Sequence, residues 1–377
     1  MFPKKLLHNS FWLIALCMLL SACDGYGQSK AFVYKPVPAD YLRDYSFVPR
    51  NKTNRDTAFD ITRALPQGYV TDGSVDYTAY LQQALNSHPK VAMPNFAVMV
   101  NDAGLTLNSG QTVVFKDSSK LILKPSAPGT YEIIRIHNVE NVTVYSAVIL
   151  GDKTTHTGTD GQWGMGIAIR ASKNITIINP KVYRCWGDGI YVGGLKNVPS
   201  QNVNIVNPLL DDNRRNGISV TSANQLSITG GVIANSNGQM PQSGIDIEPN
   251  RPTDVIDHIN ISDVVTYNHP KYGIVISLQQ LRGRKAGETN INIKNPVDDG
   301  SGNGIAIIGR PSADDTLNGN ISIVNPVYLN QGDAAIKLPL RNYGMRLHIS
   351  NPVKGIKPRD FDKLKKAAQA QPGVQID

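Results

Sequence analysis

Asp246 and Glu248 stand two residues apart in the run Gly244-Ile245-Asp246-Ile247-Glu248, alternating with isoleucines. In an extended chain alternate side chains share a face, so both acids point away from the side that takes Ile245 and Ile247. Their α-carbons would lie ~6.6–6.8 Å apart. Acids are depleted in strand interiors, which sets the pair apart from ordinary packing residues. Two carboxyls about 6.5–9.5 Å apart admit a water and can serve as acid and base in breaking an acetal link. The alternative is elimination, in which a base removes the proton beside a substrate carboxylate and cations or bound calcium neutralise the developing charge. Arg214 and Arg215 are the cations for that step. They belong to the run Asp211-Asp212-Asn213-Arg214-Arg215-Asn216, which precedes Ser219. An earlier run, Tyr183-Arg184-Cys185-Trp186-Gly187-Asp188, leads to an outward Tyr191. The candidate catalytic residues are thus Asp246, Glu248, Arg214, Arg215 and Asp188. The candidate substrate contacts are Tyr191, Trp186, Arg184, Ser219 and Lys271. Plainer roles compete with each: Asp188 and Asn216 as turn caps, the arginines as solvated charges, Trp186 and Cys185 as packing.

The elements that position these residues repeat along the chain. A Gly-Ile pair followed by alternating apolar residues begins at Gly166, Gly189, Gly217, Gly244, Gly273 and Gly304, with a degenerate copy at Ala335. The copies recur every 23–31 residues. Each is followed by a second strand-like run, such as Asn174-Ile175-Thr176-Ile177-Ile178 or Ile321-Ser322-Ile323-Val324. Asn-Pro pairs at 179–180, 207–208, 295–296, 325–326 and 351–352 hold one phase of the repeat. Pro stops a ladder there and Asn tolerates the left-handed conformation, so these are sharp turns. Two short strands per unit with period-two alternation exclude helical repeats and describe the coil of a β-solenoid.

This repeat closely resembles the right-handed parallel β-helix of the pectin-lyase-like superfamily. The resemblance implies an all-β fold over residues 55–357, closed by a short helix from Tyr77 to Leu85 and by a capping helix and tail over 358–377. It also places an active site on the outer face of the Gly-Ile strands. The Gly column there is required either by the turn entering each strand or by a bare groove for a polymer. The Gly-Asp-Asp and Gly-His-Gly turns of polygalacturonase-like hydrolases are absent, as is the Asp-Pro-His-Asp motif of alginate epimerases. The resemblance therefore implies a polysaccharide-active surface enzyme, lyase or hydrolase, or a non-catalytic binder of glycan or partner proteins.

The 377 residues carry a formal charge of +8, with 18% charged residues and 7% aromatics, and the 41% that are hydrophobic recur throughout, which excludes disorder over most of the chain. Lys4 and Lys5, the apolar stretch Phe11 to Leu20 and then Leu20-Ser21-Ala22-Cys23 resemble a bacterial lipoprotein signal. Cleavage before Cys23 would remove two lysines, so +8 becomes +6. Residues 23–54, with Pro36, Pro38 and Pro49, read as a lipidated Cys23 and a tether. The expected setting is the bacterial cell envelope, with Asp24 bearing on which membrane. The expected partners are a polysaccharide, anionic to suit the mildly basic charge, and the lipid bilayer. Nucleic acid is not among them, and the chain is read as a monomer. No Cys/His cluster supports zinc, and the only cation considered is calcium, on Asp188, Asp211, Asp212, Asp246 and Glu248.

Overall fold

A computed structural model of the chain describes residues 31–46, 57–281, 288–309, 317–339, 344–350 and 355–377. The leader, Cys23 and the Asn351-Pro352 turn lie outside the described residues. Those from Tyr34 onward belong to one unit.

The alternating Ile and Val runs become three parallel sheets of twelve, ten and nine strands, wound as a solenoid. The Gly-Ile runs build the nine-stranded sheet in strict register. Ile167, Ile190, Ile218, Ile245, Ile274, Ile305 and Ile336 stack one on the next. All seven are buried in a continuous core. The second runs build the twelve-stranded sheet. Between them lies a third strand that the repeat did not announce, such as Lys181–Tyr183 or Leu209–Asp211. Three residues are too few for an alternation to be read. The Asn-Pro turns form as expected: Asn179, Asn207, Asn295 and Asn325 take φ of 50–52°. Their amides also ladder between coils, Asn207 Nδ2 donating to Asn179 Oδ1 at 3.0 Å and Asn325 Nδ2 to Asn295 Oδ1 at 3.0 Å.

The Gly column needs correction. None of the six Gly-Ile glycines has positive φ, and none lines an open strip. They occupy the corner where the short strands meet the nine-stranded sheet. A Cβ on Gly217 would come within 2.1 Å of Ile233 Cγ2, and one on Gly304 within 2.3 Å of Tyr328 Cδ1. Close packing, and neither a turn nor a groove, requires Gly there.

Helix α1 (Thr78–Ser87) buries Leu81, Ala84 and Leu85 at the N-terminal end of the core. Helix α2 (Pro358–Gln369) buries Ala368, and Val374–Ile376 then adds a last strand beside Leu347–Ile349. Within the stretch read as a tether, Tyr34 Oη donates to Asp211 Oδ2 and Tyr41 Oη to Asp299 Oδ2, both at 2.9 Å. Asn235 Nδ2 donates to the Lys35 carbonyl at 2.9 Å between them. Residues 34–41 therefore run along the outside of the ten-stranded sheet.

Candidate functional site

On the outer face of the nine-stranded sheet, register aligns Ala168, Tyr191, Ser219, Asp246, Val275 and Ala306 in one column. Two residues further along each strand, a second column holds Arg170, Gly193, Thr221 and Glu248. Asp246 does point away from the solenoid core, as the alternation requires. It is nevertheless only 2% exposed, because the turn of the preceding coil lays Arg215 across it.

Arg215 is the hub of this region. Its Nη1 donates to Asp188 Oδ2 at 3.0 Å and to Ser219 Oγ at 3.3 Å, while Nη2 lies 3.6 Å from Asp246 Oδ2. Asn216 fixes both acids: its backbone N–H donates to Asp188 Oδ1 at 3.1 Å and its Nδ2 to Asp246 Oδ2 at 3.0 Å. Asp246 Oδ1 is buried without a hydrogen-bond partner. One guanidinium thus contacts Asp188 and Asp246 and feels the charge of Glu248. Burial first, then the neighbouring Glu248 charge, push Asp246 up to about 8 against the pull of Arg215. Burial also raises Asp188, with Arg215 opposing it. Asp188 holds the shorter contact to the guanidinium, 3.0 Å against 3.6 Å for Asp246. Glu248 is half-buried at the rim.

The structure therefore brings together Asp246, Glu248, Arg215, Asp188 and Ser219. It does not bring Arg214, whose guanidinium stacks 3.7 Å over the Trp186 ring and donates to the Gly161 and Trp186 carbonyls. Trp186 in turn stacks at 3.9 Å on His156, so packing is what it does here. Arg184 pairs with Asp212 at 3.2 Å on the far side of the turn, where Lys153 also meets Asp212 at 2.6 Å. Asp211 belongs there too, bonded to Tyr34 and Asn235. The five acids considered for calcium are consequently split between two corners, and among the described residues no three His, Cys, Asp or Glu side chains gather as a metal site. Lys271 is exposed just before Tyr272, which pairs with Ser243 one coil earlier. Tyr191 lies on the face as expected, 7% exposed, its hydroxyl 2.7 Å from Thr221 Oγ1.

Two groups escaped the sequence reading. Asp152, fully buried, binds Ser126, Tyr131 and, at 2.9 Å, His156 Nδ1, holding the imidazole beneath Trp186. On the sheet face, Glu132 meets Arg135 Nε at 3.0 Å, His137 Nε2 at 2.9 Å and Arg170 Nε at 2.9 Å. Burial alone would raise Glu132, but His137 and Arg170 outweigh it and hold the carboxyl at about 2. The signal was present in Ile134-Arg135-Ile136-His137 and in Ile167-Ala168-Ile169-Arg170, where cations alternate with core isoleucines. The first of these strands lacks the Gly-Ile pair, so the repeat did not reveal it.

Comparison with known proteins bears on the scaffold. A family described as "Right handed beta helix region" matches residues 95–248 and 165–342. The curated protein YclG of Bacillus subtilis (strain 168) is 24% identical over 255 residues, covering 59% of this chain and 44% of that protein. The chain thus spans less than half the length of this relative. Among solved structures, the tailspike protein gp49 of the Acinetobacter baumannii bacteriophage Fri1, described as a capsular polysaccharide depolymerase, superposes with a TM-score of 0.53. Identity is 14%, covering 77% of this chain and 58% of that one. PfbA, a surface adhesin of Streptococcus pneumoniae, superposes with a TM-score of 0.52 at 14% identity, covering 80% of each chain. At such identities these likenesses concern the fold alone.

Proposed function

We propose that this chain, which belongs to the right-handed β-helix family, acts on a polysaccharide laid along the outer face of its nine-stranded sheet. The observation that carries the reading is Asp246: a buried carboxyl with one oxygen unpartnered beside the half-buried Glu248, which burial and that neighbour push up to about 8. Asp246 is the proton donor to the departing glycosidic oxygen, and Glu248 is the base. In hydrolysis Glu248 takes a proton from water as the water oxygen attacks the anomeric carbon. In elimination it takes the proton beside a uronate carboxylate, whose charge Arg215 steadies. The depolymerase with the same fold supports a glycan as partner. The Leu20–Cys23 lipobox leads us to place the protein on the bacterial envelope by an acylated Cys23.

A second reading, glycan binding without turnover, is favoured by one observation. Asp246 Oδ1 is closed from solvent, so a substrate reaches it only when the covering side chains move. The detergent-solubilised full chain, incubated with bacterial, plant and algal polysaccharides, separates the two. New reducing ends together with unsaturated-uronate absorbance identify elimination, and reducing ends alone identify hydrolysis. Binding without either identifies the second reading. Where turnover is found, Asp246→Asn and Glu248→Gln each lower it at least about tenfold with melting nearly unchanged. Turnover untouched by both variants would place the chemistry elsewhere.

A further inference from the structure

We infer that Arg170 is a carboxylate-reading subsite on the same face, set apart from the Asp246 centre and selecting a glycan that carries acidic sugars. The inference rests on the proposed function and names its substrate class. Arg170 is held on two sides. Its Nε donates to Glu132 Oε1 at 2.9 Å, and its Cζ lies 4.0 Å above the Tyr191 ring. That ring is itself fixed, because its hydroxyl pairs with Thr221 Oγ1. Gly193, beside Arg170 in the ladder, makes room for the Tyr191 ring: a Cβ there would come within 2.5 Å of Thr221 Oγ1 and 2.6 Å of Tyr191 Cε1.

Among the described residues no acceptor is paired with Nη1 or Nη2, and the side chain remains 19% exposed. A planar fork fixed at its Nε and on one face, with both terminal NH2 groups unpaired among the described residues, is preorganised to hold a carboxylate through two parallel hydrogen bonds. Charge favours the same ligand. Among the described residues Glu132 is the one acid in contact with Arg135, His137 and Arg170, so the cluster carries surplus positive charge.

Position gives the subsite its role. In the outer column Arg170 is followed by Gly193, Thr221 and Glu248, three strand spacings or ~14 Å from first to last. No single sugar ring spans that distance. The sugar read by Arg170 and the sugar at Glu248 are therefore different units of one chain, and Arg170 supplies binding remote from the bond that breaks.

Side-chain NMR of the full chain in detergent tests this without reference to turnover. The Arg170 Nε–H resonance, assigned through Arg170→Lys, is followed during titration with galacturonate, glucuronate and mannuronate. The neutral parents galactose, glucose and mannose serve as controls, and sodium sulfate at matched ionic strength controls for general anion binding. The inference expects saturable shifts with at least one uronate, none with neutral sugars or sulfate, and affinity at least about fivefold weaker in Tyr191→Leu, where the fork loses its platform. Asp246→Asn leaves these shifts intact, so the subsite and the proposed chemistry fail separately. Where a polymer is turned over, Arg170→Lys raises KM at least about fivefold with kcat near the parent value. Equal shifts with neutral sugars, equal shifts with sulfate, or no shift with any of the three uronates would overturn it.

Discussion

The two charged clusters on the nine-stranded sheet invert one another. Around Glu132 one carboxylate faces two guanidiniums and an imidazole, and around Arg215 one guanidinium contacts two carboxyls and feels the charge of a third. The scaffold and the face are shared. Burial raises both carboxyls, most of all the fully buried Asp246, and the ratio of charges decides whether that rise is overcome. Glu132 is held down at about 2 and Asp246 is driven up to about 8. A solenoid can thus build an anion-reading patch and a neutral acid a few strands apart by changing only outward side chains.

The contrast can be broken most severely from beneath. Ile218 is fully buried and stacks on Ile245, directly under the Asp246 region. Ile218→Asp places an unpaired charge in the core at a cost of several kcal/mol, comparable with the whole stability of a typical domain. The variant is expected not to accumulate as folded protein, as judged by soluble yield and circular dichroism. If it melts like the parent, the register described for this sheet is wrong.

A smaller effect sharpens the comparison through its sign. Glu132 has a folded value below its ordinary 4.5, so its stabilisation is present above that pH and is lost as pH falls toward 2. Asp246 has a folded value above its ordinary 3.8, so its stabilisation is present at low pH and is lost as pH rises toward 8. Glu132→Gln should therefore cost about 2–3 kcal/mol at pH 7 in urea unfolding, and the difference from the parent should shrink below pH 4.5. A cost independent of pH would remove the charge account and leave only packing.

How much of this was legible in the sequence depends on what each pattern encodes. The isoleucine column and the Asn-Pro turns are strictly periodic, so the solenoid, its register and the inward facing of Ile218 and Ile245 could be read directly. The same alternation found Asp246, Glu248, Ser219 and Tyr191 on one face. It could not say that turns would cover that face, because the Arg215 contacts join residues 27–31 positions apart in different coils. For the same reason the neighbours Arg214 and Arg215 looked equivalent, although one stacks on Trp186 and the other enters the acid cluster. The glycine column misled because Gly is equally compatible with a turn, a groove and a tight corner. Only the groups packed against each glycine, such as Ile233 at Gly217 and Tyr328 at Gly304, decide among these.

The most direct measurement is a carbon-13 titration of the side-chain carboxyls of the full chain, with Asp246 assigned through Asp246→Asn. The account predicts a midpoint for Asp246 near 8, well above its ordinary 3.8, and a lower midpoint in Glu248→Gln, where a neighbouring negative charge is gone. It predicts that Glu132, on the same face, titrates near 2. An Asp246 midpoint at or below its ordinary value would mean that the acid is ionised at neutral pH. It would then be a structural partner of Arg215 and not a proton donor.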